Sequence, residues 1–408
     1  MKNFMNDIYE VVIIGGGFSG TVAAIELARV YGENVALAER NARLCKKVSA
    51  TGNGRCNITN ASISVDRYHS VCGAKVADVL SRFGNNSLSE WLLSVGIPVS
   101  YEGEKAFPCS RQAPSVAEAL KDCLEFNGAN IFYGFDCAGL IKHDGYFVAT
   151  AKDGRKITAK RAIIACGGKA GRQYGSDGDG YVLAGGFGHG VTELFPSIVQ
   201  LITERDNIKG LKGIKVVAEV SVYSEKKKIA ASAGDVLFTD YGVSGNAVFA
   251  ISSYVSGKNG LFLELSFLPE LSEDELKIIL VDKISSLPYA DGDKLLCGFV
   301  HGALGRAVTA RIGNIRSPYG KAAAIAKTLK HFRLNIIGTL GFDEAQVTHG
   351  GIRCSEVNED TMESKLITGL YFTGEILDVD GDCGGFNLQW AYSSARAAAE
   401  DIIKNENR

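Results

Sequence analysis

The apolar pattern is sharpest at the start of the chain. Val11-Val12-Ile13-Ile14 is a run of four apolar, β-branched residues that predicts a buried parallel strand. Thr21 to Val30 places apolar residues at helical spacing, which predicts a helix starting near Phe18 or Ser19. Asn34 to Ala38 predicts a second strand. Lys75 to Val95 reads as helix, with Leu80, Phe83, Leu88, Trp91, Leu92 and Val95 on its core face and a break at Gly84-Asn85-Asn86. Glu102 to Ser115 reads as a loop and Val116 to Phe126 as a helix. Short strands follow at Asn130–Phe135, Gly145–Thr150 and Lys156–Thr158, with turns at Asp144-Gly145 and Asp153-Gly154. Ala162 to Ala165 is another buried strand, and Tyr181 to Ala184 is helical.

The pattern changes near Val191. Val199–Ile202, Lys215–Tyr223, Lys228–Ala231, Val236–Phe238 and Leu261–Leu265 alternate as strands of a small barrel or sandwich. Ser272-x-x-Glu275 is a capping box that opens a helix to Ser286. Helical patterns then cover Gly302–Ile312 and Lys321–Phe332. The chain closes on a strand at Leu370–Phe372, a glycine-rich loop, and a helix from Asn387 to Ile403.

Gly15, Gly17 and Gly20 sit between the first strand and helix as G-x-G-x-x-G, and Glu39 ends the second strand. These are the parts of a βαβ dinucleotide fingerprint in order. Gly15 permits the tight turn, Gly17 the approach of a pyrophosphate, and Gly20 close helix–strand packing. The amides of Phe18 and Ser19 open the helix towards phosphate. Glu39 can accept hydrogen bonds from a ribose, and its charge disfavours a 2′-phosphate there. The fingerprint by itself serves FAD or NAD equally. A second glycine-rich stretch, Thr51-Gly52-Asn53-Gly54-Arg55-Cys56-Asn57, suits either a polar planar ring or a surface loop with Asx turns. Ala165-Cys166-Gly167-Gly168 suggests another backbone approach to the same cofactor. The helix leaving Gly384-Gly385 can face negative charge, as a flavin ring, a phosphate or a plain cap would use it. No second G-x-G-x-x-G follows a strand, so a separate NAD(P)H domain is not expected.

Of 408 residues, 46% are hydrophobic and 22% charged, and the net charge is −2. This balance describes a globular chain of two or three domains and offers no electrostatic footprint for nucleic acid or anionic membrane. The start, Met1 to Glu10, does not read as a signal peptide, and no run is long enough to span a bilayer. Cytoplasmic localisation is therefore expected. Ten cysteines, Cys72 among them, contain no C-x-x-C, which argues against a dithiol flavoenzyme. Six scattered histidines lack metal-ligand spacing.

Several stretches resemble the HI0933-like flavoproteins: Gly15 to Gly20, TGNGRCNITN at 51–60, ACGG at 165–168, GDVLFTDYGVSG at 234–245, THGGI at 348–352, and 362–389. The resemblance implies an α/β, Rossmann-like FAD-binding domain of the glutathione-reductase type, made from 1–190 and 345–408. It implies an inserted domain at 191–344. Its β-barrel part covers about 191–268 and 335–344, and its helical part about 269–334. It implies FAD as cofactor, with Arg40 and Lys47 among the residues that bind it. Thr51 to Asn57 would lie by the flavin and phosphate side. Cys137 would contact adenine through its backbone, and Ala165, Gly167 and Gly168 would lie against the cofactor. Gly374, Glu375, Asp380, Gly385, Phe386 and Asn387 would line the isoalloxazine and ribityl region. The departures are Cys166 where Thr is usual and Asn246 where Gly-Pro commonly follows.

The expected activity is FAD-dependent oxidoreduction of a small or medium organic substrate, bound between the two domains. One form is NAD(P)H-fed reduction of a conjugated C=C. Another is an oxidase of amine-type substrates using oxygen. A third, of another class, is a flavoprotein with a structural or RNA/protein-interaction role. No nucleic-acid or membrane partner is expected, and the sequence leaves the oligomeric state open. A C=C reductase needs a proton donor, for which His349, Tyr392 and Arg111 are the candidates, each also readable as structural.

Overall fold

The computed structural model describes residues 8–69, 73–287, 290 and 292–405; Met1 to Asp7 and Cys72 lie outside the described residues. The chain forms two compact units, Met1–Phe195 with Gln346–Arg408, and Pro196–Ala345.

The first unit is built on a seven-stranded sheet. Strand β1 (Ile8–Ile14), helix α1 (Phe18–Tyr31) and strand β2 (Val35–Glu39) follow the apolar pattern closely. β1 pairs in parallel with β2 on one side and with the Lys156–Ile164 strand on the other. Asn130–Tyr133 extends the parallel order beyond β2. Lys156–Ile164 serves two neighbours on its far edge. Its first half pairs antiparallel with Tyr146–Ala151, and its second half pairs in parallel with Leu370–Phe372. Val11 to Ile13 are fully buried. This is the near-continuous apolar reading of a strand covered on both faces. The closing helix Phe386–Lys404 packs on α1. Its alanines (Ala395, Ala397, Ala398) are fully buried.

The second unit is a closed six-stranded barrel, in the order Leu201–Thr203, Gly242–Ser244, Lys227–Phe238, Lys215–Ser224, Leu261–Phe267 and Phe332–Thr339. Leu261–Phe267 alternates buried and half-buried along its length, so Leu263 and Leu265 fill the interior with Val220, Val222 and Phe238. Helices Glu273–Ser286, Gly302–Ile312 and Pro318–Lys330 stand between the last two barrel strands in sequence.

Four local expectations are corrected. The 102–115 stretch is not all loop: Lys105–Pro108 is the middle strand of a small sheet, between Thr59–Asn60 and Val99–Glu102. The next helix starts at Ala113, three residues earlier than Val116, because Pro114 is preset for a first turn. The segments at 228–231 and 236–238 are one strand, Lys227–Phe238, held by ladders to Lys215–Ser224 and Gly242–Ser244. Phe332 opens the closing barrel strand and does not end a helix.

Ser272 makes the full capping box with Glu275. Ser272→Ala is expected to destabilise the second unit by about 1 kcal/mol in urea denaturation. An unchanged midpoint would show that this cap contributes nothing.

Candidate cofactor site

Four parallel strands end in one row. Ile14 pairs with Ala38 and with Ile164, and Ile164 pairs with Phe372. Glu39, Gly15, Ala165 and Thr373 therefore stand side by side at the carboxyl edge, where open α/β sheets bind ligands. The ladder continues one step further: the Gly15, Ala165 and Thr373 amides donate to Ala38, Ile14 and Ile164 (2.8, 2.8 and 3.2 Å).

The fingerprint glycines divide into two kinds. A Cβ at Gly15 (φ +109°) would lie 2.5 Å from the Ala165 carbonyl oxygen, and one at Gly20 1.9 Å from that of Gly15. These two positions are closed by the protein itself. A Cβ at Gly17 would meet nothing within 4 Å. Gly17 is also the N-cap of α1, with no side-chain cap and no acidic residue in the first turn. The first intrahelical bond runs from the Thr21 amide to the Gly17 carbonyl (2.9 Å), so the amides of Phe18, Ser19 and Gly20 have no intrahelical acceptor. An open cradle before uncapped amides fits a pyrophosphate. Glu39 is buried; its two oxygens accept from the Gly16 amide (2.7 Å) and the Asn41 amide (2.7 Å), which fixes the carboxylate at the end of β2.

Arg40 is drawn away from that row into a carboxylate cluster. It bonds Asp136 (3.2 Å), Asp179 (2.7 Å), Asp177 and the Gly175 carbonyl (3.1 Å). Its charge holds the 175–179 loop to the end of β2. Cys137, beside that cluster, is buried at the start of an antiparallel strand. Lys47 ion-pairs with Glu375 (2.7 Å) and bonds the Ala170 carbonyl (3.0 Å). The second Glu375 oxygen accepts from the Thr348 amide (3.0 Å), and Thr348 Oγ1 accepts from the Lys169 and Ala170 amides (2.7 and 2.9 Å). Gly168 packs against this knot, at 2.4 Å from Thr348 Oγ1 for a Cβ; Gly167 has φ +73°. Gly374 (φ +79°) donates to Ser394.

The 51–57 stretch begins inside the 3₁₀ turn Val48–Gly54, and its Gly52, Asn53 and Gly54 all adopt left-handed backbone. Thr51 bonds back to the Val48 carbonyl (2.7 Å), and the Asn57 side-chain nitrogen reaches the Thr59 and Ala106 carbonyls (3.1 and 3.2 Å). Burial pushes the Cys45 and Cys56 thiols up to about 12, so neither supplies a thiolate near neutral pH. Arg55 and Arg111 ion-pair with Glu102 (3.2 and 3.1 Å) and lie over the Phe107 ring. Tyr392 is fully buried, and its hydroxyl is held by the Ser87 carbonyl (3.0 Å) and Arg396 (2.8 Å). That is a packing role.

At the other end of the site, the closing helix starts from Gly385 (φ +101°), again with no side-chain cap and no acidic residue in its first turn. Its first bond runs from Gln389 to the Gly385 carbonyl (3.1 Å), leaving the Phe386, Asn387 and Leu388 amides without intrahelical acceptors. Asn387 clamps Gly381 from both sides (2.9 and 2.8 Å), and Phe386 is fully buried under Tyr68. His349 Nδ1 bonds Asp380 (2.7 Å); the carboxylate is fully buried, while 30% of the imidazole is exposed. Sequence reading did not single out Arg67, His69 and Asp382. Asp382 bonds both of the others (2.6 and 2.7 Å). The alternation Asp378-x-Asp380-x-Asp382 is the signal that was available.

The nine described cysteines are free thiols, and no group of metal-ligating side chains occurs among the described residues. No helix among them is long and apolar enough to cross a membrane.

The family described as HI0933-like protein Rossmann domain matches residues 9–401. The chain is 37% identical to the 3-dehydro-bile acid delta(4,6)-reductase of Clostridium scindens, covering 95% of this chain and 98% of that one. It is 28% identical to the ribosomal RNA dihydrouridine synthase of Escherichia coli K12, covering 97% and 98%. Two solved structures share the fold at 15% identity. One is a flavocytochrome c3 fumarate reductase (TM-score 0.51, covering 99% of this chain and 79% of that one). The other is the 3-ketosteroid-delta4-(5alpha)-dehydrogenase of Rhodococcus jostii RHA1 (TM-score 0.50, covering 99% of both).

Gly17→Ala and Gly20→Ala separate the two kinds of glycine. Gly17→Ala is expected to leave the melting temperature of the apoprotein unchanged and to weaken FAD binding about tenfold or more in a fluorescence titration. Gly20→Ala is expected to lower apoprotein stability itself. Equal effects of the two on stability would contradict the division.

Proposed function

We propose that this chain, which belongs to the HI0933-like family and is an FAD-dependent oxidoreductase, saturates a carbon–carbon double bond conjugated to a carbonyl, using electrons from a nicotinamide. The observation that carries this reading is the full-length likeness to the bile-acid delta(4,6)-reductase. The second relative's name, dihydrouridine synthase, also describes loss of a double bond conjugated to a carbonyl. The two names differ in substrate but share a bond type. A 3-oxo steroid-type enone is the substrate class favoured here, from the higher identity and the net charge of −2, which offers RNA no general attraction.

FAD, when bound, supplies the hydride chemistry. The open face of Gly17 and the Phe18–Gly20 amides would hold its pyrophosphate, and Glu39 its ribose. The uncapped amides of Phe386 to Leu388 would face the electron-rich end of the ring. The chain itself must deliver a proton to the second carbon of the reduced bond. His349 suits this task. Its Nδ1 is held 2.7 Å from a fully buried carboxylate, which orients the ring.

Anaerobic titration with NADH and NADPH, followed by a 3-oxo-Δ4 steroid, tests this reading. Bleaching by nicotinamide and recolouring by the enone with a saturated product is expected. In His349→Gln, bleaching is expected to persist while recolouring slows by roughly 10²–10⁴-fold. Recolouring only by uridine-containing RNA would favour the second relative's chemistry. Peroxide release from amines, with no response to enones, would overturn the proposal.

A further inference from the structure

A partly open cavity of about 280 Å³ lies in the first unit. Its wall is apolar almost throughout. Val76 comes from the helix Gly73–Arg82, Val357 and Met362 from one loop, Leu377 and Val379 from the segment before the closing helix, and Trp390 from that helix. The loop is fixed in shape. Val357 bridges Ser364, and the Asn358 and Met362 amides donate to the Glu363 and Asn358 carbonyls (2.8 and 2.9 Å). Met362 is held in left-handed backbone (φ +62°), which residues with side chains rarely adopt. Strained positions of this kind persist where their surroundings over-determine them, and they cluster at ligand sites.

The polar groups of the wall are committed, with one exception. Asn358 Oδ1 accepts from the Asp360 amide (3.0 Å), Glu359 pairs with Lys365 (3.4 Å), and the Cys354 thiol donates to the Asp378 carbonyl (3.6 Å). Trp390 is 3% exposed, and its Nε1–H is enclosed with no acceptor among the described residues. The chain's other tryptophan shows the ordinary arrangement, since Trp91 Nε1 donates to Glu26 (2.8 Å). A buried indole N–H normally has such an acceptor.

We propose that this cavity binds a small neutral molecule, mostly apolar and carrying one oxygen acceptor of the ketone or ether kind, which receives the Trp390 N–H. An anion is disfavoured, because no basic side chain occurs among the described wall residues and Glu359 is one of them. A cation meets a carboxylate already paired with Lys365. None of these side chains has been given a part in the reaction, so the site stands whether or not an enone is the substrate. The two places are nonetheless close along the chain. Leu377 and Val379 flank Asp378, and Trp390 follows Phe386 by four residues in the helix whose first amides would face the flavin.

The test is a ¹H–¹⁵N titration of tryptophan-labelled, FAD-loaded protein with cyclohexanone, and with cyclohexane as its apolar counterpart. The two indole signals are assigned with Trp91→Phe. Cyclohexanone is expected to move the Trp390 N–H signal downfield and saturably while Trp91 stays in place, and cyclohexane is expected to give no such downfield shift. Trp390→Phe is expected to weaken cyclohexanone roughly fivefold, read from the ligand's own line broadening, and to leave cyclohexane unchanged. If that variant does not fold, the titration of the wild-type protein decides alone. A Trp390 signal that neither ligand moves would overturn the proposal. So would one already downfield and cross-relaxing with a long-lived water, which would mean a trapped water only. Equal shifts with ketone and hydrocarbon would overturn it as well, because the N–H would then have no part in recognition.

Discussion

Helix α1 and strand β1 meet at a distance that only hydrogen on Cα allows. A methyl group at Gly20 would lie 1.9 Å from the Gly15 carbonyl oxygen, and one at Gly15 2.5 Å from that of Ala165. This closeness sets the helix N-terminus directly over the ends of three parallel strands. Everything else at the carboxyl edge is placed by it: the row from Glu39 to Thr373, the Lys47–Glu375 pair beside it, and the closing helix packed along α1. Two of the helices that begin at glycines with no side chain supplied to their first amides start at this site. In the second unit, Asn246–Ser252 also starts from an uncapped glycine, whereas the helices at Glu273, Gly302 and Pro318 are capped by Ser272, His301 and Ser317. Amides left without internal caps are what an anionic cofactor requires of its host.

The acidic run before the closing helix follows a different logic. Three carboxylates within five residues would be unstable in a buried ribbon unless each had a partner or stayed protonated. Asp380 and Asp382 are matched to histidines and an arginine, and Asp378 is held towards its neutral form by burial. The result gathers these side chains just before the Gly385 start of that helix.

How far the sequence reveals this depends on the range of the interaction. The β1–α1–β2 unit is legible because period, glycine spacing and the terminal acid are all local. The Ser272 capping box is legible for the same reason. The Lys227–Phe238 strand is not, because its centre, Ala230-Ala231-Ser232-Ala233-Gly234, has weak strand preference and is held by its ladder to Lys215–Ser224. Lys105–Pro108 is short and ends in proline, yet two neighbours stabilise it. His349 could be noticed beside its glycines, but its meaning comes from Asp380, 31 residues away. His69 and Asp382 are 313 residues apart, and no local pattern connects them. Tyr392 looked equally suggestive by position, and only packing shows its hydroxyl committed to Ser87 and Arg396.

The carboxyl edge, with Gly17 open and Glu39 fixed at its side, is proposed to hold the complete dinucleotide form of the flavin. Equilibrium titration of the apoprotein with FAD and with FMN tests this most directly, since FMN lacks the adenosine half that Glu39 and the α1 amides would serve. One FAD per chain is expected, with FMN weaker by at least about a hundredfold, near 2.8 kcal/mol. Equal affinity for the two, or a protein that binds neither, would contradict it.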